Sequence, residues 1–373
     1  MKVTADKNSL FNLLTWHGKS SPSGLVRVSV AEDGAPIVIE SASTDNGWQS
    51  STVAVIESTA GQAAFSTMRV MAQKQLGKRV TEMTLEEDGN TVASHVGRSK
   101  ATCPAVLDVP EFWRPEPTSD GSDPFTVVAE VDPSALSWLL GVGEGMRSGD
   151  PVHPTHAVLL SVEGNAVKVH STDGYKMGFG EIESLTPGVE TKHFISPASF
   201  TKPLSIMSEA ETIELVEING HLGMRGAGSV MVRPSLAGGP PPMGQLLEQA
   251  RDTLTSSAPL TLPVSDFSDA LSGVGLGKNG AILVEVQDDH VVVSNSKSAS
   301  DLEGRTQVEV EADVPEGASG STFQFNAANA NAALKQFRTQ DMSMTRNKRM
   351  VVLSEPDNGS RATPFIANIA IVQ

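Results

Sequence analysis

Two hydrophobic patterns alternate along the chain. Short runs that alternate apolar and polar residues are typical of strands, and stretches with apolar residues every three or four positions are typical of helices. Three times, an apolar strand pattern ends in a small polar residue just before a helical stretch: Phe65-Ser66, Ile195-Ser196 and Phe325-Asn326. A Ser or Asn side chain at such a position can accept a hydrogen bond from the first helical turn. The pattern therefore predicts helices at 67–77, 197–207 and 327–338.

A second set of helical patterns opens each third of the chain, at 6–20, 132–148 and 265–278, where Asp6, Asp132 and Ser265 stand in the cap position. Between the helices lie short strand patterns, at 25–30, 36–40, 48–55, 158–162, 167–170, 281–286 and 291–294. Gly, Asn and Asp separate these strands, and Gly and Asn tolerate the positive φ of tight turns. The chain is therefore interpreted as three copies of one internally doubled unit.

The length of 373 residues is enough for three domains that each bury a core. A polar, Pro-rich segment at 115–124 predicts one linker, and 247–259 predicts another. We therefore predict domains at 1–120, 125–250 and 258–373. Pro203 is expected to kink or shorten the helix at 197–207.

The formal net charge is −16, which by itself disfavours a nucleic-acid partner. The distribution of charge changes this picture. The helical regions with their flanking residues, taken as 6–20, 66–80, 132–148, 196–207, 265–278 and 326–340, hold eleven of the 28 basic residues and only five of the 44 acidic ones. Helices of this kind could present a basic surface on an otherwise acidic protein. Ordinary solvated helix faces are the alternative explanation.

Few motifs point to catalysis or to metal binding. Cys103 is the single cysteine, which excludes an internal disulfide, and its simplest interpretation is a small buried residue. The segment 273–279 resembles a phosphate-binding loop, but Ser272 and Asn279 stand where that motif needs Gly and Ser or Thr. His153 and His156 flank a proline and fit a surface loop better than a metal pair. With no signal peptide or membrane-spanning run in the sequence, we expect a cytoplasmic protein without cofactor, metal site or catalytic residues.

One stretch has a recognisable signature. Ser171-Thr172-Asp173-Gly174-Tyr175-Lys176-Met177 follows a strand hairpin and resembles the Ala-Thr-Asp-Gly-(His/Tyr)-Arg-Leu segment of the bacterial DNA polymerase III beta subunit, the sliding clamp. Shorter similarities occur in the same order as in that family: Met1-Lys2-Val3, Gly97-Arg98-Ser99-Lys100 and Phe194-Ile195-Ser196-Pro197. The resemblance covers nearly the whole chain.

The resemblance implies an α+β protein of three tandem clamp domains, each made of two β-α-β-β-β halves. Two subunits would form a head-to-tail dimeric ring, with helices inside and sheets outside, that encircles double-stranded DNA. It would be a non-catalytic processivity factor whose partners are the replicative DNA polymerase catalytic subunit, the clamp loader and a second copy of itself. The candidate DNA-binding residues are Lys19, Arg69, Lys74, Lys78, Arg79, Arg147, Lys202, Lys278, Lys335 and Arg338.

The family also implies a groove for partner peptides and a dimer seam. The candidate groove residues are Thr172, Gly174, Tyr175, Lys176, Met177, Pro242 and Leu247, although the apolar members would equally fit a domain core. The candidate seam residues are Arg98, Lys100, Cys103, Val274, Leu276, Asp301 and Glu303. From another class of function, a β-rich structural or carbohydrate-binding protein built of repeated domains remains the alternative.

Overall fold

The computed structural model describes residues 1–21, 23–42, 47–73, 79–106, 114–116, 118, 120–238, 243–274, 280–295, 306–346, 350–356 and 365–370. In this part of the chain, antiparallel sheets are combined with seven α-helices, so the fold is α+β as predicted. Contacts within the chain divide it into two compact units. Unit 1 comprises Met1–Ser134 and Ser199–Ser235, and unit 2 comprises Ala135–Ala198 and Leu236–Gln373.

The elements follow one another in a regular order along the chain. The helices are α1 (Lys7–Ser20), α2 (Met68–Met71), α3 (Pro133–Met146), α4 (Pro197–Met207), α5 (Gly244–Ser256), α6 (Val264–Gly273) and α7 (Ala327–Leu334). The strands of the first third are β1 (Lys2–Asp6), β2 (Leu25–Val30), β3 (Ile37–Ala42), β4 (Trp48–Val53), β5 (Glu57–Thr59), β6 (Gly61–Ser66), β7 (Glu82–Glu87), β8 (Thr91–Val96) and β9 (Ser99–Pro104). Those of the middle third are β10 (Thr126–Val131), β11 (Val158–Glu163), β12 (Ala166–Thr172), β13 (Lys176–Glu183), β14 (Thr191–Ile195), β15 (Ile213–Ile218), β16 (His221–Gly226) and β17 (Ser229–Pro234). The last third contains β18 (Leu260–Pro263), β19 (Ala281–Val286), β20 (His290–Asn295), β21 (Gln307–Glu311), β22 (Thr322–Asn326), β23 (Asp341–Arg346), β24 (Met350–Ser354) and β25 (Ile366–Ala370).

Unit 1 contains two sheets. The larger has eight strands in the order β6-β2-β3-β4-β17-β16-β15-β10, and the smaller has five in the order β5-β1-β7-β8-β9. Helix α1 buries Leu10, Phe11 and Leu14 in one core with inward-facing residues of β2 and β3, such as Val28 and Ile39. Burying each of these side chains contributes roughly 1.5–3 kcal/mol, so this apolar face holds α1 on the sheets.

Unit 2 also contains two sheets. Its eight-stranded sheet has the order β14-β11-β12-β13-β25-β24-β23-β18, and its four-stranded sheet has the order β21-β20-β19-β22. Phe267 of α6 and Leu334 of α7 share a core with Phe325 of β22 and Met342 of β23. The two large sheets thus place corresponding strands in corresponding positions, which is the repeat that the sequence pattern predicted.

Most predicted helices are present, and the side-chain caps at Asp6, Asp132 and Asn326 are confirmed, whereas Ser265 lies inside α6. Asp6 accepts from Ser9 N at 2.8 Å and Asn326 accepts from Ala328 N at 2.9 Å. The cap at Ser66 was wrong, because Ser66 is the last residue of β6, paired with Leu25, and helix α2 begins after Thr67.

Two further details differ from the predictions made for helices. Pro203 does not shorten α4, which covers the predicted 197–207 with the proline inside it. The predicted linker at 247–259 was wrong, because most of it belongs to α5, where Leu247, Ala250 and Thr253 are buried at helical spacing. Each eight-stranded sheet contains strands from two neighbouring thirds of the chain, so the sheets do not separate the predicted domains. The domain boundaries near 120 and 250 therefore stay a prediction.

Candidate nucleic-acid and partner interfaces

The predicted DNA-binding residues differ in solvent exposure and in whether they already form an ion pair. Lys19 at the end of α1, Lys202 in α4 and Lys335 just after α7 are exposed, as are Arg69 and Arg79. Lys74, Lys78 and Lys278 lie outside the described residues. Exposed lysine and arginine side chains can approach phosphates without first breaking an internal ion pair.

Two other predicted DNA contacts already have acidic partners. The Arg147 side chain is 8% exposed and lies 2.7 Å from Glu144, and it also contacts His156. Arg338 donates to Glu355 at 2.8 Å, and its guanidinium lies 3.7 Å from the ring centroid of Trp138. These two side chains therefore support the local fold of unit 2, and their charges are largely compensated.

Glu355 shows how strong this second pairing is. Burial alone would raise the pKa of its carboxyl, because the charged form loses hydration. Hydrogen bonds from the Arg338 side chain, Arg338 N and Phe365 N outweigh burial and hold the pKa below its usual range. Glu355 is therefore charged, and its carboxylate accepts hydrogen bonds from Arg338 and Phe365.

The signature loop between β12 and β13 is held by its own hydrogen bonds. Asp173 Oδ1 accepts from Tyr175 N at 2.8 Å and from Lys176 N at 2.9 Å. Thr172 Oγ1 donates to Lys176 O at 2.7 Å, and Gly174 has φ +94°, a conformation that favours glycine. The Lys176 ammonium pairs with Asp173 at 3.2 Å. The loop presents Tyr175, which is 71% exposed, on a fixed backbone.

An apolar cluster in the same unit contains one of the predicted groove residues. Leu247 of α5 packs with Phe179, Val352 and Ile366 of the eight-stranded sheet. Leu247 is 7% exposed and Met177 is 4% exposed, so both belong to packed interior in this structure. Pro242 lies outside the described residues.

Exposed apolar side chains of unit 2 were not predicted as site residues. Leu246 in α5 is 40% exposed, and Val152, in the loop after α3, is 87% exposed. Arg251 of α5 lies 5.4 Å from the Phe179 ring centroid. The adjacent leucines, with Ala250 and Leu254 following at helical spacing, were the sequence signal for this helix.

The strand order reveals two matching sheet edges. Each eight-stranded sheet is joined at its middle by an antiparallel pair, β4 with β17 in unit 1 and β13 with β25 in unit 2. By position in the repeat, β9 corresponds to β17 and β25, and β21 corresponds to β4 and β13. Among the described strands, however, β9 and β21 each end their sheet.

The predicted seam residues lie partly on these edges. Lys100 is exposed on β9, and Arg98 is exposed in the turn that precedes it. The Cys103 side chain is 3% exposed and belongs to the core of unit 1, and burial raises the pKa of its thiol. Val274 is 2% exposed in the core of unit 2. Leu276, Asp301 and Glu303 lie outside the described residues.

The described residues offer no sign of a metal site or a membrane span. No group of three or more His, Cys, Asp or Glu side chains in this part of the chain could hold a metal ion. No helix among the same residues is long and apolar enough to cross a bilayer.

The repeated β-α-β-β-β halves, the two joined sheets and the two matching edges define the sliding-clamp fold. Solved structures share it over the full chain. The DNA polymerase sliding clamp from Bacillus subtilis matches with a TM-score of 0.82 and 14% identity, covering 100% of this chain and 99% of that one. The DNA polymerase sliding clamp from Pseudomonas aeruginosa matches with a TM-score of 0.81 and 13% identity over the same shares. A putative DNA polymerase III beta subunit from Eubacterium rectale matches with a TM-score of 0.77 and 14% identity, covering 100% of both chains.

Sequence comparison alone does not reach these structures. No family model matches the chain, and no curated protein matches it in sequence. The chain therefore has the fold of DNA polymerase III beta subunits. At 13–14% identity, the similarity shows the fold alone.

Proposed function

We propose that this protein is a DNA sliding clamp, a non-catalytic processivity factor that works in the cytoplasm as a head-to-tail dimeric ring around duplex DNA. The observation that carries the proposal is the pair of open edges, β9 and β21. Their counterparts are already joined twice within the chain. A third junction of the same kind, between β9 of one copy and β21 of another, would continue the repeat and remove both exposed edges.

The internal junctions also supply a register for the proposed seam. In the β4–β17 pair, Ser51 lies opposite Ser229. Carrying the same register to the open edges, through the hairpins that flank them, places Ser99 opposite Val308 of a second copy. The β13–β25 pair gives the same register. There Ile366 lies opposite Phe179, and these two residues correspond in the repeat to Lys100 and Gln307, which are opposite each other when Ser99 faces Val308.

This register brings opposite charges together. Arg98 precedes Ser99 and would face Glu309 of the second copy, with Lys100 diagonal to the same carboxylate. Cross-strand pairs of opposite charge contribute roughly 0.2–1 kcal/mol each, and like charges directly opposite are destabilising. The charges are therefore compatible with this register, and the choice of register rests on the two internal junctions.

Exposed lysines on the helices support the DNA-binding part of the proposal. Lys19, Lys202 and Lys335 belong to α1, α4 and the end of α7, which are equivalent helices of the repeat. Phosphate contacts of this kind are independent of sequence and weaken with salt, as a sliding protein requires. The acidic remainder of the chain would disfavour DNA elsewhere on the protein.

The signature loop supports the partner-binding part. An exposed aromatic such as Tyr175 next to a fixed backbone is a common anchor for a short apolar peptide. Leu246 adds a second exposed apolar side chain in the same unit. We propose that the polymerase catalytic subunit and the clamp loader bind here through such peptides.

The first test is the mass in solution, measured by light scattering with chromatography. A mass of twice 39.2 kDa is expected for the wild type. Arg98→Glu should shift the protein toward monomer because it would face Glu309, and adding Glu309→Arg should restore the dimer. Lys192→Ala, at an exposed lysine in unit 2, is the control that should leave the mass unchanged.

The second test is topological. Dimer bound to nicked circular DNA should stay bound in high salt and be lost after the circle is linearised, because a ring slides off an end. A strict monomer at micromolar concentration, a large polymer, or equal loss from both DNA forms would refute the clamp.

A further inference from the structure

Unit 1 contains a cavity beside Lys19 and Lys202, two of the proposed DNA contacts. It has a volume of about 730 Å³ and lies between α1, α4, the end of β4 and the turn before β17. This size falls in the range of small-molecule sites. Its wall combines apolar side chains such as Leu13 and Ile206, hydroxyl side chains such as Thr15, and the charged side chains of Lys19, Lys202 and Glu209.

The equivalent helices of unit 2 are in contact with each other. There α3 and α7 take the positions of α1 and α4, and Trp138 Nε1 donates to Gln336 O at 2.7 Å. A Cβ placed on Gly145 would lie 2.6 Å from Gln336 Nε2, so the two helices are in close contact. These contacts lie at the place in the repeat where unit 1 has its cavity.

A buried N–H group in the wall of the cavity lacks a hydrogen-bond acceptor among the described residues. Trp16 is 4% exposed, and its Nε1 is a buried donor without an acceptor in the described part of the chain. Thr15 Oγ1, from the same wall, is likewise buried without a partner. An unsatisfied buried polar group costs about 1–3 kcal/mol, and an acceptor brought in by a ligand would relieve that cost.

The donors in the wall indicate the chemistry of the ligand. The side chains of Lys19, Lys202 and Trp16 can donate hydrogen bonds but cannot accept them, so they favour an anionic ligand with several acceptor oxygens. The cationic side chains in the wall are lysines, and a lysine ammonium can bind a phosphate as a point charge from any direction. Glu209 can accept from a sugar hydroxyl or a ring amino group, and the apolar side chains can cover a planar ring.

We propose that this cavity is a nucleotide-binding site, with the phosphate between Lys19 and Lys202 and the nucleoside portion against Leu13 and Ile206. The nucleotide could be free in solution or belong to a single strand, since both carry the same groups. Because solvent does not reach Trp16 Nε1 in this structure, we expect the wall to shift slightly as the ligand enters.

The test is calorimetric titration of the full-length protein with dAMP, with a single-stranded dT12 oligonucleotide and with a hairpin duplex. dAMP or dT12 should bind, with a change in tryptophan fluorescence as Trp16 acquires an acceptor. Lys19→Ala and Lys202→Ala should each weaken this binding at least tenfold, and Trp16→Phe, which keeps the ring and loses the N–H, should weaken it severalfold. Lys192→Ala is the matched control and should not weaken it.

Binding of dAMP would indicate a free nucleotide as the ligand, and binding of dT12 would indicate a single strand. Either result fits the proposal. No binding of dAMP or dT12 at millimolar concentration would overturn it. Binding that Lys19→Ala and Lys202→Ala leave unchanged would also overturn it, because the nucleotide would then sit elsewhere. Binding of the duplex alone would reduce the two lysines to ordinary contacts with DNA. Neither dAMP nor dT12 depends on ring closure, so this result is independent of the mass and DNA-retention tests.

Discussion

The stability of unit 1 should depend on pH through a single buried histidine. His17 is 0% exposed, and its ring nitrogens contact Ser41 Oγ at 2.9 Å and Ser51 Oγ at 3.1 Å. Ser51 in turn contacts Ser229 at 2.9 Å, across the β4–β17 junction. The network therefore connects α1 with both strands of the junction.

The folded protein keeps this histidine neutral. Burial, together with the positive charge of Arg233, lowers the pKa of His17 to about 3. In the unfolded chain the pKa is about 6.5. The stability that this group contributes is thus fully present above about pH 6.5 and is lost as the pH falls, because only the unfolded state then binds the proton.

The expected magnitude follows from that difference. Between pH 7 and pH 5 the unfolded histidine goes from mostly neutral to almost fully protonated while the folded one stays neutral, which costs about 2 kcal/mol of the free energy of unfolding. This value is insensitive to the folded pKa of His17 as long as it stays below about 4. Burial lowers the pKa of His170 in unit 2 to about 4, so His170 adds a loss in the same direction.

Urea unfolding of wild type and His17→Gln at pH 7 and pH 5 isolates the effect. Glutamine keeps a donor and an acceptor but does not titrate, and both proteins retain His170. The wild type should lose about 2 kcal/mol more than the variant on going to pH 5. Equal losses in the two proteins would refute the reasoning, and circular dichroism and fluorescence transitions that coincide would justify a two-state treatment.

Three further changes test local features of the structure. Asn326→Ala should cost about 1 kcal/mol in thermal or urea unfolding because it removes the cap of α7, whereas Ser66→Ala, at a residue that caps nothing, should cost much less. Glu355→Ala should cost about 3 kcal/mol in the same assay, because it leaves Arg338 and a buried amide without their acceptor, and a loss below about 1 kcal/mol would contradict the importance of this pair. Tyr175→Ala should weaken clamp-binding peptides at least tenfold in fluorescence polarisation with an unchanged unfolding midpoint, and unaltered peptide affinity would place the partner site elsewhere.

The sequence predicted the elements whose signals are local. Strand alternation located β2, β11 and β19, and the caps at Asp6 and Asn326 located the starts of α1 and α7. The cap at Ser66 failed because a ladder pairing with Leu25 extends β6 through that residue. Long-range pairing can override a local signal, and the sequence alone does not show which pairing will form.

The features that matter most for function depend on such long-range pairing. The open edge at β21 was missed because the alternation at 307–311 looks like that of any strand, and its position at the end of a sheet appears only once β19, β20 and β22 are placed. The cavity beside Trp16 was missed for a related reason. A tryptophan at a helical core position is normally read as packed, and only the structure leaves its N–H without an acceptor.

The three junctions of the repeat differ in how they are held, and the differences fit their proposed roles. The β4–β17 junction in unit 1 is fixed by the buried network around His17, and the β13–β25 junction in unit 2 is covered by the apolar cluster of Leu247, Phe179 and Ile366. Breaking either would expose buried groups at a cost of several kcal/mol. The proposed β9–β21 junction would depend on backbone hydrogen bonds and on the exposed charges of Arg98 and Glu309, which water can solvate when the edges separate. A ring that must open for loading should be weakest there.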